Sequence, residues 1–153
     1  MDEISYFEDL KVGDRAITAG RTVTEADVVN FAGLSGDFNP IHVDKSFAET
    51  TPFKKRIAHG LLVMSIASGL FTQCEMNIRI KKSLIALLEV RARFLKPVFI
   101  GDTIHVEVEV KDKKETSKPD RGIVLLERNV VNQNGEVVQV IETPLMLRRR
   151  PQS

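Results

Sequence analysis

The sequence predicts a single α+β domain in which an antiparallel sheet curls around one long buried helix. Residues 57–71, IAHGLLVMSIASGLF, carry apolar side chains nearly all round a helical wheel, as expected for a helix surrounded by protein. After residue 83 the apolar residues recur with a period of two, as half-buried antiparallel strands require. A sheet that wraps the helix buries both patterns, and residues 1–153 have the length of one such domain.

The first predicted elements are a short strand and a helix. Residues 15–23 predict the strand, and Thr24 with Asp27 resembles a capping box that begins a helix. Glycines about two turns later indicate that this helix covers about 25–33. The segment LSGDFNPIHVD, residues 34–44, is therefore predicted to be a loop that follows a helix.

Four predicted strands follow the long helix and suggest a meander. They cover residues 83–95, 104–110, 121–131 and 136–148. Gly101-Asp102 and Asn134-Gly135 are expected to supply hairpin turns. His105 alternates with the apolar residues of its strand and should face water. Residues 111–121, KDKKETSKPDR, lack apolar anchors and predict a mobile charged loop.

Composition excludes several classes of function. Lys and Arg number 22 against 21 Asp and Glu, so the chain lacks the basic field that nucleic acid or an anionic membrane would require. The apolar run 57–71 is too short to cross a bilayer, and no transmembrane segment is expected. Cys74 is the only cysteine, which excludes an internal disulfide. The N-terminal sequence shows no secretory signal or transit peptide, so a cytoplasmic location is expected.

Asp37 and His42 are the candidate catalytic pair in LSGDFNPIHVD. The Asn39-Pro40 step favours a tight turn that would fold the two side chains toward one point. A carboxylate and an imidazole that share a water can orient it and remove its proton, which typically contributes 10² to 10⁴-fold in rate. The spacing alone also fits a turn that Asp37 merely braces, and it does not choose between these alternatives.

The longer string FAGLSGDFNPIHVDKSFA, residues 31–48, resembles the hydratase-2 motif of MaoC-like (R)-specific enoyl-CoA hydratases. The resemblance continues through residues 50–70 and 94–104, and so covers most of the chain. It implies the hot-dog fold, a long helix wrapped by an antiparallel sheet. It also implies reversible addition of water to a trans-2-enoyl thioester to give the (R)-3-hydroxyacyl thioester, or the reverse dehydration.

The resemblance assigns a role to each candidate site residue. Asp37 and His42 fall on the catalytic pair that holds and activates the water. Asn39 falls on a supporting asparagine that either contacts the water, braces the loop or only makes the turn. Gly60 falls on the position whose backbone N–H meets the thioester oxygen, with close helix packing as the alternative. Ser68 falls on a serine that could orient Asp37, or it bonds its own helix backbone.

Neighbouring basic residues and His59 are less specific. His59 is expected to be a structural residue at the start of the long helix rather than a second base. Residues 54–56, Lys-Lys-Arg, and 148–150, Arg-Arg-Arg, could contact the phosphates of coenzyme A or could be solvated surface charge.

The implied reaction requires no metal or redox cofactor, because the thioester carbonyl already acidifies Cα and activates Cβ. Three histidines and one cysteine, scattered along the chain, look unlike a metal site. The expected partners are an acyl-CoA or acyl-carrier-protein thioester and a second copy of the chain that covers an edge strand. A thioesterase and a non-catalytic acyl-CoA-binding module are the competing functions, and the sequence leaves acyl chain length open.

Overall fold

The computed structural model describes residues 3–152. Its helical elements are a 3₁₀ turn Phe7–Asp9, α1 Glu25–Ser35, α2 Pro40–Val43, α3 Lys45–Thr50, α4 Gly60–Gln73 and α5 Glu75–Ile80. Its strands are β1 Arg15–Ile17, β2 Arg21–Thr22, β3 Leu84–Leu87, β4 Arg91–Phe94, β5 Thr103–Glu115, β6 Arg121–Val131 and β7 Val137–Arg148. No helix in this part of the chain is both long enough and apolar enough to span a membrane.

The strands form one antiparallel sheet in the order β1-β5-β6-β7-β3. Each edge is built from two short strands, since β2 also pairs with β5 and β4 also pairs with β7. The three long strands β5, β6 and β7 follow one another as hairpins. Asn134 and Gly135 lie in the turn between β6 and β7, where Gly135 takes a φ of 76°. That predicted hairpin is confirmed.

Helix α4 packs on one face of this sheet, as the hot-dog prediction requires. Along β6 buried residues alternate with half-buried ones, so one face of the strand points into the core. The core side of α4 contributes Leu62, Val63, Ala67, Leu70 and Phe71. The predicted α+β architecture, with a sheet wrapped on a long helix, is confirmed.

Helix α1 begins as the sequence predicts and ends later. The Thr24 hydroxyl accepts from the Asp27 N–H, and the Asp27 carboxylate accepts from the Thr24 N–H, which completes the capping box. The helix runs through Gly33 to Ser35, and it is Gly36 that takes the left-handed conformation, with a φ of 77°. Its N–H donates to the Ala32 carbonyl and closes the last turn.

The four-strand meander is wrong in its first step. The predicted strand 83–95 is interrupted at residues 88–90, and its two pieces pair with β7 rather than with β5. Gly101 and Asp102 lie between β4 and β5, and these two strands do not pair with each other. The predicted hairpin at this turn is therefore wrong. Pro97 lies three residues after the end of β4. Because proline has no N–H to donate to a neighbouring strand, it favours an end of the strand near this point.

Two other boundaries differ from the prediction. Strand β5 continues past a register shift near Val110 to Glu115, so the charged loop is confined to the residues between β5 and β6. Helix α4 begins at Gly60 instead of residue 57, because Ile57 lies in a bridge with Phe99. His105 lies on the outer, half-exposed face of β5, as predicted.

Within one chain α4 is not surrounded on every side. Leu61, Ser65 and Ser68 are exposed, although the helix is apolar nearly all round. The prediction of a fully enclosed helix is therefore wrong for the single chain, and one side of α4, with Leu61 and two serines, remains available to another surface.

Candidate active site

The loop after α1 is shaped by hydrogen bonds within a few residues of Asp37. The Ser35 hydroxyl accepts from the Asp37 N–H at 3.1 Å. The Asp37 carboxylate in turn accepts from the Asn39 N–H at 3.1 Å. These short-range bonds form the type of turn that Asp and Ser favour, and they leave the Asp37 side chain exposed.

Asn39 caps the short helix that carries His42. Its side-chain oxygen accepts from the Ile41 N–H at 3.4 Å, and Pro40 occupies the first helical position. Proline is favoured at this position because an N–H there would have no acceptor within the helix, so its absence costs no hydrogen bond. The bond from the Ile41 N–H to Asn39 lies within the turn itself, and a contact of Asn39 with the catalytic water stays a prediction. Pro40 begins α2, the helix that carries His42.

His42 is fixed by a backbone carbonyl that also determines its tautomer. Its Nδ1 lies 2.8 Å from the carbonyl oxygen of Ile57. Because a carbonyl can only accept, Nδ1 carries the proton and, in the neutral ring, the lone pair lies on Nε2. The His42 carbonyl accepts from Nε of Arg56 at 2.7 Å, so α2 is tied to the segment before α4 at two points.

His59 joins the Asp37 loop to the start of α4. It is 2% exposed, and its Nε2 donates to the Asp37 carbonyl at 2.9 Å. Its ring stacks on that of His42 with 3.8 Å between centroids and meets the edge of Phe31 on the other side. The sequence identified His59 as structural, and these contacts give it a positioning role within the site.

Asp37, His42 and His59 come together at one point. One carboxylate oxygen of Asp37 and one ring nitrogen from each histidine all lie within 4.8 Å of one another. This spacing suits a water held between the carboxylate and an imidazole. The same three groups also have the donor types that bind a metal ion, and in residues 3–152 they form the one such cluster.

The environment of His42 favours its neutral form. Burial lowers the pKa of His42 below its ordinary value, and the nearby His59 lowers it further. The hydrogen bond to the Ile57 carbonyl and the charge of Asp37 act in the opposite direction but do not reverse the shift in pKa. A neutral imidazole with its lone pair on Nε2 is the form that can take a proton from water.

Gly60 opens α4 beside this cluster. His59 is the N-cap, so the Gly60 N–H is among the groups without an intrahelical acceptor. A Cβ at this position would lie 2.8 Å from the Phe94 ring, which explains why a side chain is not accommodated without movement. The Gly60 carbonyl accepts from the side-chain amide of Gln139 at 2.9 Å, which ties the first turn of α4 to β7.

A cavity of about 560 Å³ adjoins Gly60. Its walls come from the segment before α4, the first turn of α4, β4 and β7; they include Ile57, Gly60, Leu61, Val63, Phe94, Val98 and Gln139. Asp37 and His42 are not among its lining residues. They are linked to the segment 57–60 by hydrogen bonds, from His42 to the Ile57 carbonyl and from His59 to the Asp37 carbonyl. The sequence analysis did not identify Gln139 as a site residue. A single glutamine in an apolar strand gives no indication that its side chain contacts a helix.

Ser68 is not brought to Asp37 within one chain. It lies about 12 Å along the axis of α4 from Gly60, given a rise of 1.5 Å per residue. Its side chain is exposed and lines a separate cavity with Arg128 and Thr143. Its role in orienting Asp37 stays a prediction.

Most of the arginines predicted as possible phosphate contacts have partners inside the chain. Arg56 binds the His42 carbonyl and the Glu25 carboxylate. Arg149 pairs with Glu115, and Arg150 donates to both oxygens of the Asp9 carboxylate. These pairs favour the surface-charge alternative for Arg56 and for the C-terminal arginines.

Comparison with known proteins identifies related sequences. The family model described as "MaoC like domain" matches residues 10–132. An (R)-specific enoyl-CoA hydratase of Aeromonas caviae is 37% identical over 140 residues, covering 92% of this chain and 97% of the relative. Protein MaoC of Klebsiella aerogenes is 43% identical over 108 residues, which are 71% of this chain but only 31% of that longer protein.

A solved structure has the same fold over nearly the whole chain. It is described as a monoamine oxidase regulatory protein from Archaeoglobus fulgius, and it superimposes with a TM-score of 0.91 at 39% sequence identity. The match covers 97% of each chain. The helix–sheet arrangement around Gly60 is thus shared by a solved structure of the same length.

Proposed function

This chain belongs to the MaoC-like domain family, and on that premise we propose that it is an (R)-specific enoyl-CoA hydratase. The reaction is reversible addition of water to a trans-2-enoyl thioester, and the reverse reaction is dehydration of the 3-hydroxyacyl thioester. One observation carries this proposal: the hydrogen bond from His42 Nδ1 to the Ile57 carbonyl leaves the lone pair on Nε2, in a ring that has one nitrogen within 4.8 Å of an Asp37 carboxylate oxygen.

The proposed first step is removal of a proton from a bound water. The Asp37 carboxylate accepts one hydrogen bond from this water and orients it, and His42 Nε2 takes the other proton as the oxygen attacks Cβ. The double bond shifts toward the thioester, whose oxygen gains negative charge. That proton is then passed to Cα, so the product contains the whole of the water and no proton is left on the protein.

The thioester oxygen is proposed to lie at the N-terminus of α4. The free N–H of Gly60 and the positive end of the helix dipole stabilise negative charge there. Such a donor contributes about 3 kcal/mol when it is aimed at a developing oxyanion. Absence of a Cβ at Gly60 keeps the approach to this N–H open.

We also propose that the chain acts as a homodimer. The edge strands β3 and β4 and the outer side of α4 form an exposed apolar surface: Leu61, Leu84, Ile85, Leu87, Leu88, Val90, Phe94 and Leu95. An edge strand with exposed apolar side chains is a site where a second chain can pair. Sedimentation analysis of the purified chain would measure this, and a monomer at micromolar concentration would contradict it.

The test of the proposed reaction is hydration of crotonyl-CoA, followed by loss of the enoyl-thioester absorbance. Asp37→Asn and His42→Ala should each lower kcat by about 10² to 10⁴-fold, because each removes one partner of the water. His105→Ala is the matched control, since His105 lies on the outer face of β5, and it should leave the rate unchanged.

Two results would contradict this assignment. Equal rates in the wild type and in both site variants would exclude Asp37 and His42 as the catalytic pair. Release of free thiol at the rate of absorbance loss would identify a thioesterase instead of a hydratase.

A further inference from the structure

Arg128 is an arginine on the core face of the sheet. It alternates along β6 with half-buried residues, in phase with the buried Val124, Leu126 and Val130, and it is 6% exposed. In the described residues no carboxylate lies within ion-pair distance of it. A buried charge without a counter-charge is costly, so its presence requires an explanation.

The chain compensates this charge only in part. The guanidinium lies over the Phe71 ring with 3.9 Å to the centroid, a favourable cation–π arrangement. Its Nε is buried without an acceptor in residues 3–152. Burial lowers the pKa of Arg128 to about 10, against a smaller opposing effect of Cys74, so the side chain remains cationic at neutral pH.

Arg128 lines a cavity that contains another polar group without a partner. The cavity has a volume of about 220 Å³. Its other lining residues are Met64, Ser65, Ser68, Leu87, Val90, Ile141 and Thr143. Thr143 is 2% exposed, and its hydroxyl has no hydrogen-bond partner among the described residues. A cation and hydroxyl donors at the end of an apolar space match a small anionic group.

This cavity continues the direction of the one beside Gly60. Both are lined by α4 and β7, and on these two elements the lining residues advance together: Gly60 and Leu61 to Ser65 and Ser68 along α4, and Gln139 to Ile141 and Thr143 along β7. On β4 and β3, the neighbours of β7 in the sheet, the lining residues advance in the antiparallel direction, from Phe94 to Leu87. The order of these residues points to one groove that contains both cavities in succession, which we call the α4–β7 groove.

We propose that the α4–β7 groove selects enoyl thioesters whose acyl chain ends in a carboxylate, with Arg128 as the group that recognises it. This specificity rests on the proposed hydratase function, since the thioester oxygen is placed at Gly60. The apolar walls accommodate the methylene chain, and Thr143 donates a hydrogen bond to the carboxylate beside Arg128. In the proposed homodimer the second copy closes the open side of the groove, since Leu61, Leu87, Val90 and Phe94 belong both to the exposed apolar surface and to the cavity walls. Arg128 and Thr143 determine specificity and take no part in the chemical step.

The spacing along the groove sets the length of the acyl chain. Eight helical residues separate Gly60 from Ser68, a rise of about 12 Å. Four strand residues separate Gln139 from Thr143, about 13 Å. An extended chain advances about 3.4 Å for every three bonds, so about eleven bonds span this distance. A four-carbon acyl group is too short to reach Arg128.

The experiment compares matched substrates on the purified full-length protein. Values of kcat/KM are measured for trans-2-decenedioyl-CoA, which has the terminal carboxylate, and for trans-2-decenoyl-CoA, which lacks it. Crotonyl-CoA serves as the short reference. The wild type should prefer the dicarboxylic substrate by about 10 to 100-fold, because a desolvated guanidinium–carboxylate pair forms only with that substrate.

Variants assign this preference to Arg128. Arg128→Met replaces the guanidinium by an unbranched apolar side chain and should lower kcat/KM for trans-2-decenedioyl-CoA to the value for trans-2-decenoyl-CoA. Arg128→Lys should keep part of it, because a point charge replaces a bidentate donor. Arg91→Met, which removes an exposed arginine on β4, is the control and should change none of the three rates.

The outcomes separate this proposal from the proposed function. No hydration of any thioester refutes the hydratase function itself. Hydration of crotonyl-CoA without preference for the dicarboxylic substrate, or with a preference that Arg128→Met preserves, overturns the role of Arg128 alone. A structure of the assembled protein with a carboxylate of a second copy on Arg128 would overturn it too.

Discussion

The two ends of the α4–β7 groove differ in how their polar side chains are held. At the Gly60 end each is anchored to a backbone carbonyl: His42 to Ile57, His59 to Asp37 and Gln139 to Gly60. At the other end Arg128 and Thr143 are also buried but have no such anchor. Unpartnered atoms occur at both ends: Nε of Arg128 and the Thr143 hydroxyl here, and Nδ1 of His59 and Oε1 of Gln139 at the Gly60 end. The bond to a carbonyl fixes the tautomer and the orientation of His42 before the substrate binds. A general base must be held in this way. Unused hydrogen-bonding capacity instead suits recognition, because a ligand can supply the missing partner.

Of the variants that test this difference between the two ends, Gly60→Ala at the anchored end is expected to change kcat most. The added Cβ would lie 2.8 Å from the Phe94 ring and would block the approach to the helix N-terminus. Alanine keeps the backbone N–H, but a thioester oxygen that cannot reach it loses this donor. Loss of one oxyanion donor costs about 10² to 10³-fold in kcat, and we expect a decrease of about 10²-fold with crotonyl-CoA. Steady-state kinetics measure it.

A second variant separates the two causes of that decrease. In Gly60→Ala with Phe94→Ala the ring is gone, so full recovery of kcat would show that Gly60 is needed only for packing against Phe94. Persistent loss would support a role for its N–H.

A smaller effect is expected from His59→Gln. Without the ring stacked on His42 and with a weaker hold on the Asp37 carbonyl, kcat should fall by about 10-fold, as a misplaced catalytic group predicts.

The pH dependence of kcat/KM distinguishes an effect of His59 on the pKa of His42 from a purely structural defect, which would lower the rate without shifting the profile. Activity requires neutral His42, so in the wild type it is retained at neutral pH and lost as the pH falls through a His42 pKa that lies below 6.5. His59 lowers that pKa, so His59→Gln should raise it and move the acid limb of kcat/KM to higher pH. An unmoved limb would contradict this coupling.

The smallest effect is expected at the unanchored end and concerns stability. Arg128→Met removes a buried cation without a counter-charge and retains the apolar contact with Phe71, so the free energy of unfolding should rise by about 1 kcal/mol. Urea unfolding monitored by circular dichroism measures it, with Arg91→Met as the exposed control. A decrease would show that Arg128 already has a stabilising partner, and the contrast between the two ends would disappear.

The catalytic half of the site was predictable because its signals are local. Asp37, Asn39 and His42 lie within six residues, and the turn that joins them is made by their own side chains and by the Asn-Pro step. Arg128 was not predictable, since an arginine in a strand of alternating apolar residues is normally on the outer face. Only the register of β6, and a helix that crosses above it, decide that this arginine points inward.

The sequence by itself determined the periods of α4 and of the long strands β5, β6 and β7, the cap of α1 and the turn between Asp37 and His42, because these depend on residues close together in the chain. It did not reveal that residues 40–43 form the short helix α2. The tertiary structure decided the rest. It moved β3 and β4 to the far side of β7, placed His59 against the Asp37 carbonyl and aligned two cavities under α4. Contacts between residues 20 to 140 positions apart depend on how the whole sheet curls around the helix, and no short pattern records that.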